Sequence, residues 1–444
     1  MSVDFAFANI AISRSVSKTV NVEWPLCLLS FVSLLLIAWA STHPGGQPIA
    51  VLMFMLPVFL IATIRPRTAL LGIIKNWPLL ALPLLALLST LWSDYEEATL
   101  KSALEYNITM VVGIVLGTCV QPRILLSSMF TALALVTLFG VPFGTHEISG
   151  NALVLVGFFG SKNSFGYSVS LLLLIGITVS MNALQPRALR ILAAASVICA
   201  PPLLVYSRST GALVFSVATI MLMSVINLLF RLSSQARAGA LLLTLPLIAM
   251  LTVVWIYLGS FTDILAYFGK DVTLTGRTYI WQLAIASIEA QPIFGVGYVA
   301  YWQVGSWGPE RIWEMFGVVG KSGFHFHTLY LQVGVDLGLL GLSILVATLV
   351  VILGRIARAF VFSKPRPEQM FAIAQFIFMF SRSPIEVDLF FAFSMPSILL
   401  SLIWIYLSPR HQGVLDHGAF KKSQLHQVNR AKALTHKSDS GEAH

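Results

Sequence analysis

Residues 323–341 read G-F-H-F-H-T-L-Y-L-Q-V-G-V-D-L-G-L-L-G, and a long polar interruption gives way there to a long apolar run. The interruption begins near Phe261 and contains Arg277 within T-G-R-T. About 20 apolar residues, rising about 1.5 Å each, cross the hydrocarbon layer as a helix. This junction therefore predicts a membrane helix with a polar site at its outer end.

The composition is that of an integral membrane protein. Of the 444 residues, 57% are hydrophobic and 11% are charged, and the mean hydropathy is +0.83. Most apolar runs are about 17 to 23 residues long, which suits a spanning helix and not a barrel strand. We predict an all-α, polytopic membrane protein with about twelve transmembrane helices and one large periplasmic loop.

The positive charges predict the orientation of the helices, because most arginines and lysines fall in short loops on one side. The predicted parts are a cytoplasmic tail at 1–23, helices one to nine at 24–259, the periplasmic loop at 260–325, helices ten to twelve at 326–408, and a basic cytoplasmic tail at 409–444. Pro201 and Pro202 are expected to break the seventh helix. The last tail is expected to be solvated, with anionic lipid heads as an alternative contact.

Several function classes find no support in the sequence. The three cysteines, Cys27, Cys119 and Cys199, lie in apolar runs at unrelated spacings and predict neither a disulfide nor a metal framework. The net charge of +9 is spread over many loops, so we predict no nucleic-acid partner. A phosphate-binding Gly-Lys-Ser/Thr loop is absent and G-V-G-Y at 295–298 completes no dinucleotide fingerprint, so no cofactor is expected.

A minority of cations fall on the outer side, against the general bias: Lys162, Arg208, Lys270, Arg277, Arg311, Lys321 and Arg382. Three of these arginines lie among small polar residues, in S-R-S-T, T-G-R-T and S-R-S-P. A guanidinium donates hydrogen bonds in pairs and stays charged, which suits an anion with several oxygens. Such a set favours a lipid-linked pyrophosphate, while snorkelling, or pairing of Arg382 with Glu386, is the structural alternative.

His327 opens a predicted helix beside this anion site and is a candidate proton acceptor for a sugar hydroxyl. Glu386 and Asp388 lie at the boundary of the last two spans, where they either serve as base and acceptor-binding groups or balance Arg382. His325 and His327 with Asp336 make a weaker metal set, because a spacing of two separates the histidines on a helix. We therefore predict no metal.

Two further patterns concern packing and stacking. Tyr298, Tyr301, Trp302, Trp307 and Trp313 suit either stacking on sugar rings or an interfacial aromatic belt. Gly334, Gly338 and Gly341 fall close to one helical face, which favours the close approach of another helix.

The chain resembles the family of bacterial O-antigen ligases and Wzy-type polysaccharide polymerases over roughly residues 80–408. The blocks that carry the resemblance are L-S-T-L-W-S-D, K-N-S-F-G, S-R-S-T-G-A, G-R-T-Y-I-W-Q-L-A, P-I-F-G-V-G-Y and H-T-L-Y-L-Q-V-G-V-D-L-G-L-L-G. The ending S-R-S-P-I-E-V-D-L-F-F-A-F-S is more similar to the rhizobial exopolysaccharide polymerases of the succinoglycan type.

The resemblance implies a GT-C-like glycosyltransferase in the bacterial inner membrane that uses neither metal nor nucleotide sugar. It acts on undecaprenyl-diphosphate-linked oligosaccharides at the periplasmic face, with a flippase and a chain-length regulator as expected partners. The family's two functional arginines map to Arg208 and Arg277, and its histidine maps to His327. With Glu386 these form the predicted catalytic set, and Arg382, Lys162, Asp388 and Lys321 form the predicted substrate-binding set.

The predicted reaction is the polymerisation of lipid-linked repeat units. Two alternatives stay open at this point: a ligase that moves a finished glycan to another acceptor, and a membrane transporter. Against the transporter, few ionisable residues lie deep in the predicted spans beyond Asp336, and the sequence has no clear inverted repeat.

Overall fold

The computed structural model describes residues 23–39, 48–149, 152–257, 277–318, 320–321, 324–363 and 365–409. The described residues form fifteen α-helices. The helices are α1 (Glu23–Trp39), α2 (Pro48–Ile64), α3 (Pro66–Lys75), α4 (Ala81–Leu88), α5 (Glu96–Cys119), α6 (Pro122–Phe143), α7 (Lys162–Met181), α8 (Arg187–Ser207), α9 (Thr210–Leu229), α10 (Ser234–Tyr257), α11 (Arg277–Ala290), α12 (Trp307–Phe316), α13 (Leu329–Phe362), α14 (Pro367–Arg382) and α15 (Met395–Tyr406).

The helical membrane fold is confirmed. Among the described helices, six are long and apolar enough to cross a membrane, namely α5 to α9 and α13. The segments Met53–Ile64 and Pro66–Lys75 add a seventh if they count as one span bent by 105°. A helix lies at each of the predicted span positions, but α1, α15 and the Trp77–Leu91 segment are shorter. The number twelve stays a prediction.

Prolines act differently at two places in the fold. The sharp bend between α2 and α3 lies directly before Pro66, whose ring disfavours helical backbone at the preceding residue. By contrast, α8 continues through Pro201 and Pro202, so the predicted break there was wrong. Each proline removes one backbone donor, but its fixed φ is compatible with a helix, and both rings lie on the exposed surface.

Predicted cytoplasmic arginines cap the carboxyl ends of helices. Arg65 donates to the carbonyl of Cys119 at 2.9 Å, and Arg237 donates to the carbonyls of Phe360 and Ser363 at 2.6 and 2.8 Å. The last carbonyls of a helix have no partner within the helix, and cations there also complement its dipole. The residues that predict orientation therefore also stabilise helix ends.

The predicted outer loops contain regular structure. In the loop after α6, strands β1 (Thr145–Ser149) and β2 (Ala152–Gly157) form an antiparallel hairpin, which the all-α prediction did not include. The predicted loop 260–325 contains α11 and α12, and its residues 260–276, which include Lys270, lie outside the described residues. A second small apolar core, distinct from the main one, joins α11, α12 and α13 through Ile280, Ala284, Ile312, Phe326 and Val335.

The helix α13 is interrupted at Gly338, which has φ 64° and ψ −164°. The chain after α11 passes so close that a Cβ at Gly338 would lie 2.3 Å from the carbonyl oxygen of Ile293. Backbone groups of the two segments pair, including Val296 N–H with the Val335 carbonyl at 2.9 Å and Leu339 N–H with the Pro292 carbonyl at 2.8 Å. Gly334 faces Ile288 of α11, which confirms the predicted close helix approach at that glycine.

Candidate active site

Separate parts of the chain meet at one end of the helical bundle. The first residue of α11, Arg277, donates from Nη1 to the carbonyl oxygen of Ile385 at 2.9 Å. The segment that contains Ile385 follows α14, and its Ser383 carbonyl accepts from Leu329 N–H at the start of α13. The Ile385 side chain lies opposite Gly211 at the start of α9. The amino ends of three helices therefore border the segment after α14.

Glu386 faces the guanidinium of Arg277. Its Oε1 lies 3.8 Å from Nη2 of Arg277, which is an ion-pair distance but too long for a hydrogen bond. Burial raises the pKa of Glu386. The positive charge of Arg382 opposes this rise, the negative charge of Asp388 adds to it, and the positive charge of Arg277 opposes it. Burial also lowers the pKa of Arg277, partly offset by Glu386. Nη2 of Arg277 therefore remains available to a bound anion.

The two histidines lie on the extended segment before α13, not on the helix. His327 has a left-handed backbone with φ 55°, and its N–H donates to Nδ1 of His325 at 3.0 Å. This turn brings the two ring centroids to 4.2 Å. The predicted separation of these histidines by helical spacing was therefore wrong, because the helix begins only at Leu329.

Both imidazoles are neutral near pH 7. Burial lowers the pKa of His325 to about 4, helped by the charge of Arg277. Burial lowers the pKa of His327 to about 2, helped by His325 and then by Arg277. The buried Nδ1 of His327 has no hydrogen-bond partner among the described residues. A neutral ring with an unused nitrogen can accept a proton, and an anion that neutralises Arg277 would raise its basicity.

His325, His327 and Glu386 each bring one potential ligand atom to within 4.8 Å of the others. These are ligand types that zinc accepts. The metal set considered from the sequence had Asp336 as its third residue. In the structure the third residue is Glu386, and Asp336 is fully buried elsewhere in α13. The guanidinium beside Glu386 would repel a divalent cation. The same three groups suit proton transfer.

Arg382 and Asp388 form an ion pair with each other. Nε and Nη2 of Arg382 donate to the two carboxylate oxygens of Asp388 at 2.8 and 3.4 Å, and the guanidinium lies 4.9 Å from the ring centre of Tyr167. Arg382 is 4% exposed. The sequence-based alternative paired Arg382 with Glu386, but its hydrogen bonds go to Asp388. A role of this pair in substrate binding stays a prediction.

Arg208 lies at the turn between α8 and α9, and Lys162 is the first residue of α7. Arg208 ends α8 in a left-handed conformation with φ 49°, and its side chain is exposed. The next residue, Ser209, donates its hydroxyl to Oδ1 of Asn163 at 3.2 Å, and Asn163 follows Lys162. Gly211, three residues after Arg208, faces Ile385, so the turn that carries Arg208 borders the segment that carries Glu386. The hydrogen bond between Ser209 and Asn163 places the start of α7, which carries Lys162, beside the same turn.

Other predicted residues take different places. Lys321 pairs with Glu310 of α12, with a distance of 2.5 Å between Nζ and Oε2. Tyr298 and Trp313 are 1% and 2% exposed, so they belong to the core and are not open to sugar rings. Trp307 is exposed and stacks with Arg311.

Two groups at the site were not predicted from the sequence: the Ile385 carbonyl and Trp281. Nε1 of Trp281 donates to the Phe326 carbonyl at 2.9 Å. A backbone carbonyl has no signature in a sequence, and Trp281 reads as one more apolar residue of a helix. Only the folded chain shows that both touch the candidate site.

A many-helix membrane protein with guanidinium, imidazole and carboxylate groups together at one end has the groups of a membrane enzyme, and its similarity to known proteins identifies the family. Residues 153–346 match the O-antigen ligase family model. The chain is 31% identical over 328 residues to the exopolysaccharide production protein ExoQ of Rhizobium meliloti (strain 1021), across 72% of this chain and 74% of that relative. The chain therefore belongs to the O-antigen ligase family, which confirms the resemblance.

It is accordingly a multi-pass membrane enzyme of the exopolysaccharide or O-antigen ligase type, and the family implies lipid-linked polysaccharide substrates. The matched stretch contains Arg208, Arg277 and His327, whereas Arg382, Glu386 and Asp388 follow it.

Proposed function

We propose that the protein polymerises undecaprenyl-diphosphate-linked oligosaccharide repeat units into exopolysaccharide at the periplasmic face of the inner membrane. The observation that carries this proposal is the placement of Arg277 beside His325, His327 and Glu386 at one end of the bundle. Similarity to an exopolysaccharide production protein supports it over other reactions of the family.

In the proposed reaction, a hydroxyl oxygen of the acceptor repeat attacks the anomeric carbon of the donor chain. A new glycosidic bond forms, the bond to the diphosphate breaks, and undecaprenyl diphosphate leaves with the bonding electron pair. Arg277 and Arg208 stabilise the charge that develops on the leaving diphosphate. A direct displacement inverts the anomeric centre.

The acceptor proton passes to the cluster of Glu386 and His327. The raised pKa of Glu386 brings its basicity toward the working pH, where a general base is most effective. The pKa of His327 is lowered by burial, by His325 and then by Arg277, so an anion that compensates Arg277 removes one of these causes and raises the basicity of the imidazole.

Reconstitution in liposomes with one defined lipid-linked repeat tests the proposal. A polymerase lengthens the repeat and releases undecaprenyl diphosphate without any other acceptor. The family description favours one alternative, a ligase, which would leave the repeat unchanged until a different glycan acceptor is added. Uptake of the repeat without a new glycosidic bond would contradict both enzymatic readings and favour a transporter.

Chelation provides a separate test of the metal-free mechanism. We expect EDTA to leave the polymerisation rate unchanged, because the charge of Arg277 disfavours a divalent cation at Glu386. Loss of activity with EDTA, and its return with zinc, would instead assign His325, His327 and Glu386 to a metal.

A further inference from the structure

The backbone of Phe326, directly before His327, is hydrogen-bonded at its N–H and at its carbonyl by side chains from two helices. Its N–H donates to Oε1 of Gln332 on α13 at 3.2 Å, and its carbonyl accepts from Nε1 of Trp281 on α11 at 2.9 Å. Trp281 lies four residues after Arg277, hence on the same face of α11. The backbone orientation before His327 is thereby fixed relative to Arg277.

Gln332 is itself fixed by Asp336, one turn further along α13. Nε2 of Gln332 donates to Oδ2 of Asp336 at 3.1 Å, and the same oxygen accepts from the N–H of Val299 at 3.2 Å. Gln332 and Asp336 are 1% and 0% exposed. Neither side chain can touch a substrate, so any effect on the reaction must pass through the groups that they hold.

These contacts meet two strained parts of the backbone. His327 has φ 55°, and Val299, which is β-branched, has φ 59°. L-residues rarely adopt this conformation, and β-branched residues least of all. Such strain persists where the surroundings over-determine the backbone, and it concentrates at functional sites. A carboxylate in the interior of a spanning helix is also costly, and such residues commonly mark functional sites.

We propose that Asp336, Gln332 and Trp281 are positioning residues that aim the His325–His327 pair at Glu386 and Arg277. This proposal rests on the proposed function for its kinetic consequence, although the geometry itself does not depend on the reaction. Removing the hydrogen bonds of these three side chains frees the backbone of Phe326 and lets His327 relax from its left-handed conformation. The ring of His327 then moves away from the acceptor proton.

The test compares variants that break these hydrogen bonds with variants that keep them. Gln332→Leu removes both hydrogen bonds of the amide, and Trp281→Phe removes the donor to the Phe326 carbonyl. Asp336→Asn retains an oxygen that can accept from both Gln332 and Val299, and it is the conservative counterpart of Asp336→Leu. Gln375→Leu on α14 is the matched control, because this buried amide has no hydrogen-bond partner among the described residues.

In the liposome assay we expect Gln332→Leu and Asp336→Leu to lower kcat by about 10²-fold, the size of effect that a small misplacement of a reacting group causes. KM should not change, since the diphosphate contacts remain. Asp336→Asn and Gln375→Leu should match the wild type, and Trp281→Phe should fall between. Wild-type kcat in Gln332→Leu overturns the proposal, and so does an equal loss in Gln375→Leu.

A second readout does not need the reaction. Diethyl pyrocarbonate modifies accessible neutral imidazoles, and peptide mass spectrometry gives its rate at His325 and His327. We expect faster modification in Gln332→Leu than in Gln375→Leu, in protein that elutes from size exclusion like the wild type. If the wild type forms no polymer, the proposed function fails while this rate still decides the positioning role. Equal rates in the two variants overturn it.

Discussion

Replacement of Arg277 by methionine is expected to lower kcat/KM for a lipid-linked repeat by about 10²- to 10³-fold, the usual cost of removing a contact that stabilises developing charge. Methionine retains an unbranched apolar side chain but has no charge and no donors. Arg277→Lys retains the charge and loses the planar fork. The series therefore separates the charge of this residue from its geometry.

The magnitude follows from the contacts of the guanidinium. Among the described residues, only Nη1 is engaged at hydrogen-bond distance, with the Ile385 carbonyl at 2.9 Å, and Nη2 lies 3.8 Å from Glu386. A loss of about 10²- to 10³-fold corresponds to about 2.7–4 kcal/mol of transition-state stabilisation from the charge and the fork together. Of this, the fork supplies about one charged hydrogen bond, about 1.5–3 kcal/mol. Arg277→Lys should therefore lose about 10- to 10²-fold.

The assay is polymer formation from a purified lipid-linked repeat in liposomes, with initial rates at several substrate concentrations. Arg311→Met is the matched control, because this exposed arginine of α12 stacks on Trp307. Melting temperatures in detergent confirm that each variant is folded. A wild-type kcat/KM in Arg277→Met would refute the reasoning, and equal losses in Arg277→Lys and Arg277→Met would refute the role of the charge.

Glu386→Gln should lower kcat and abolish the decline of kcat/KM on the acid side. The carboxylate, whose pKa is raised, is protonated and lost as a base when the pH falls through its pKa. If kcat/KM of the variant still declines on the acid side, the decline belongs to another group. Asp388→Leu should lower stability by about 3–5 kcal/mol, because it leaves the buried charge of Arg382 unpaired, and Arg382→Met added to it should restore much of the melting temperature. No recovery in the double variant would contradict the pairing. Gly338→Ala should cost at least about 1–3 kcal/mol from the backbone alone, whereas Gly354→Ala, in open space on the same helix, should not lower the melting temperature.

The fold was predictable to the extent that it depends on composition and charge. Apolar length predicts membrane helices, and the arginine distribution predicts which ends share a side. The sequence could not show that α8 passes through Pro201 and Pro202, because a proline permits helix or break depending on its neighbours. It also missed the interruption at Gly338, which exists because the chain after α11 pairs with the backbone of α13.

The candidate site was predictable in its residue types and not in its pairings. The cations predicted on the outer side and the two histidines were visible as exceptions in the sequence. Whether His325 and His327 face one another depends on the φ of a single residue, and helical spacing gave the wrong answer for that reason. That Glu386 joins them, and Asp336 does not, depends on contacts between segments about 60 residues apart.

Three arginines in similar local settings meet three different environments in the folded chain. Arg382 is buried, with Asp388 on its edge and the ring of Tyr167 at its face, so little of it remains for a ligand. Within the part of the chain that the structure describes, Arg277 donates one hydrogen bond, to the Ile385 carbonyl, and Arg208 is exposed at a left-handed turn. The Arg382–Asp388 pair braces the segment that contributes the Ile385 carbonyl and Glu386. We therefore expect the loss of Arg382 to lower stability before it changes KM.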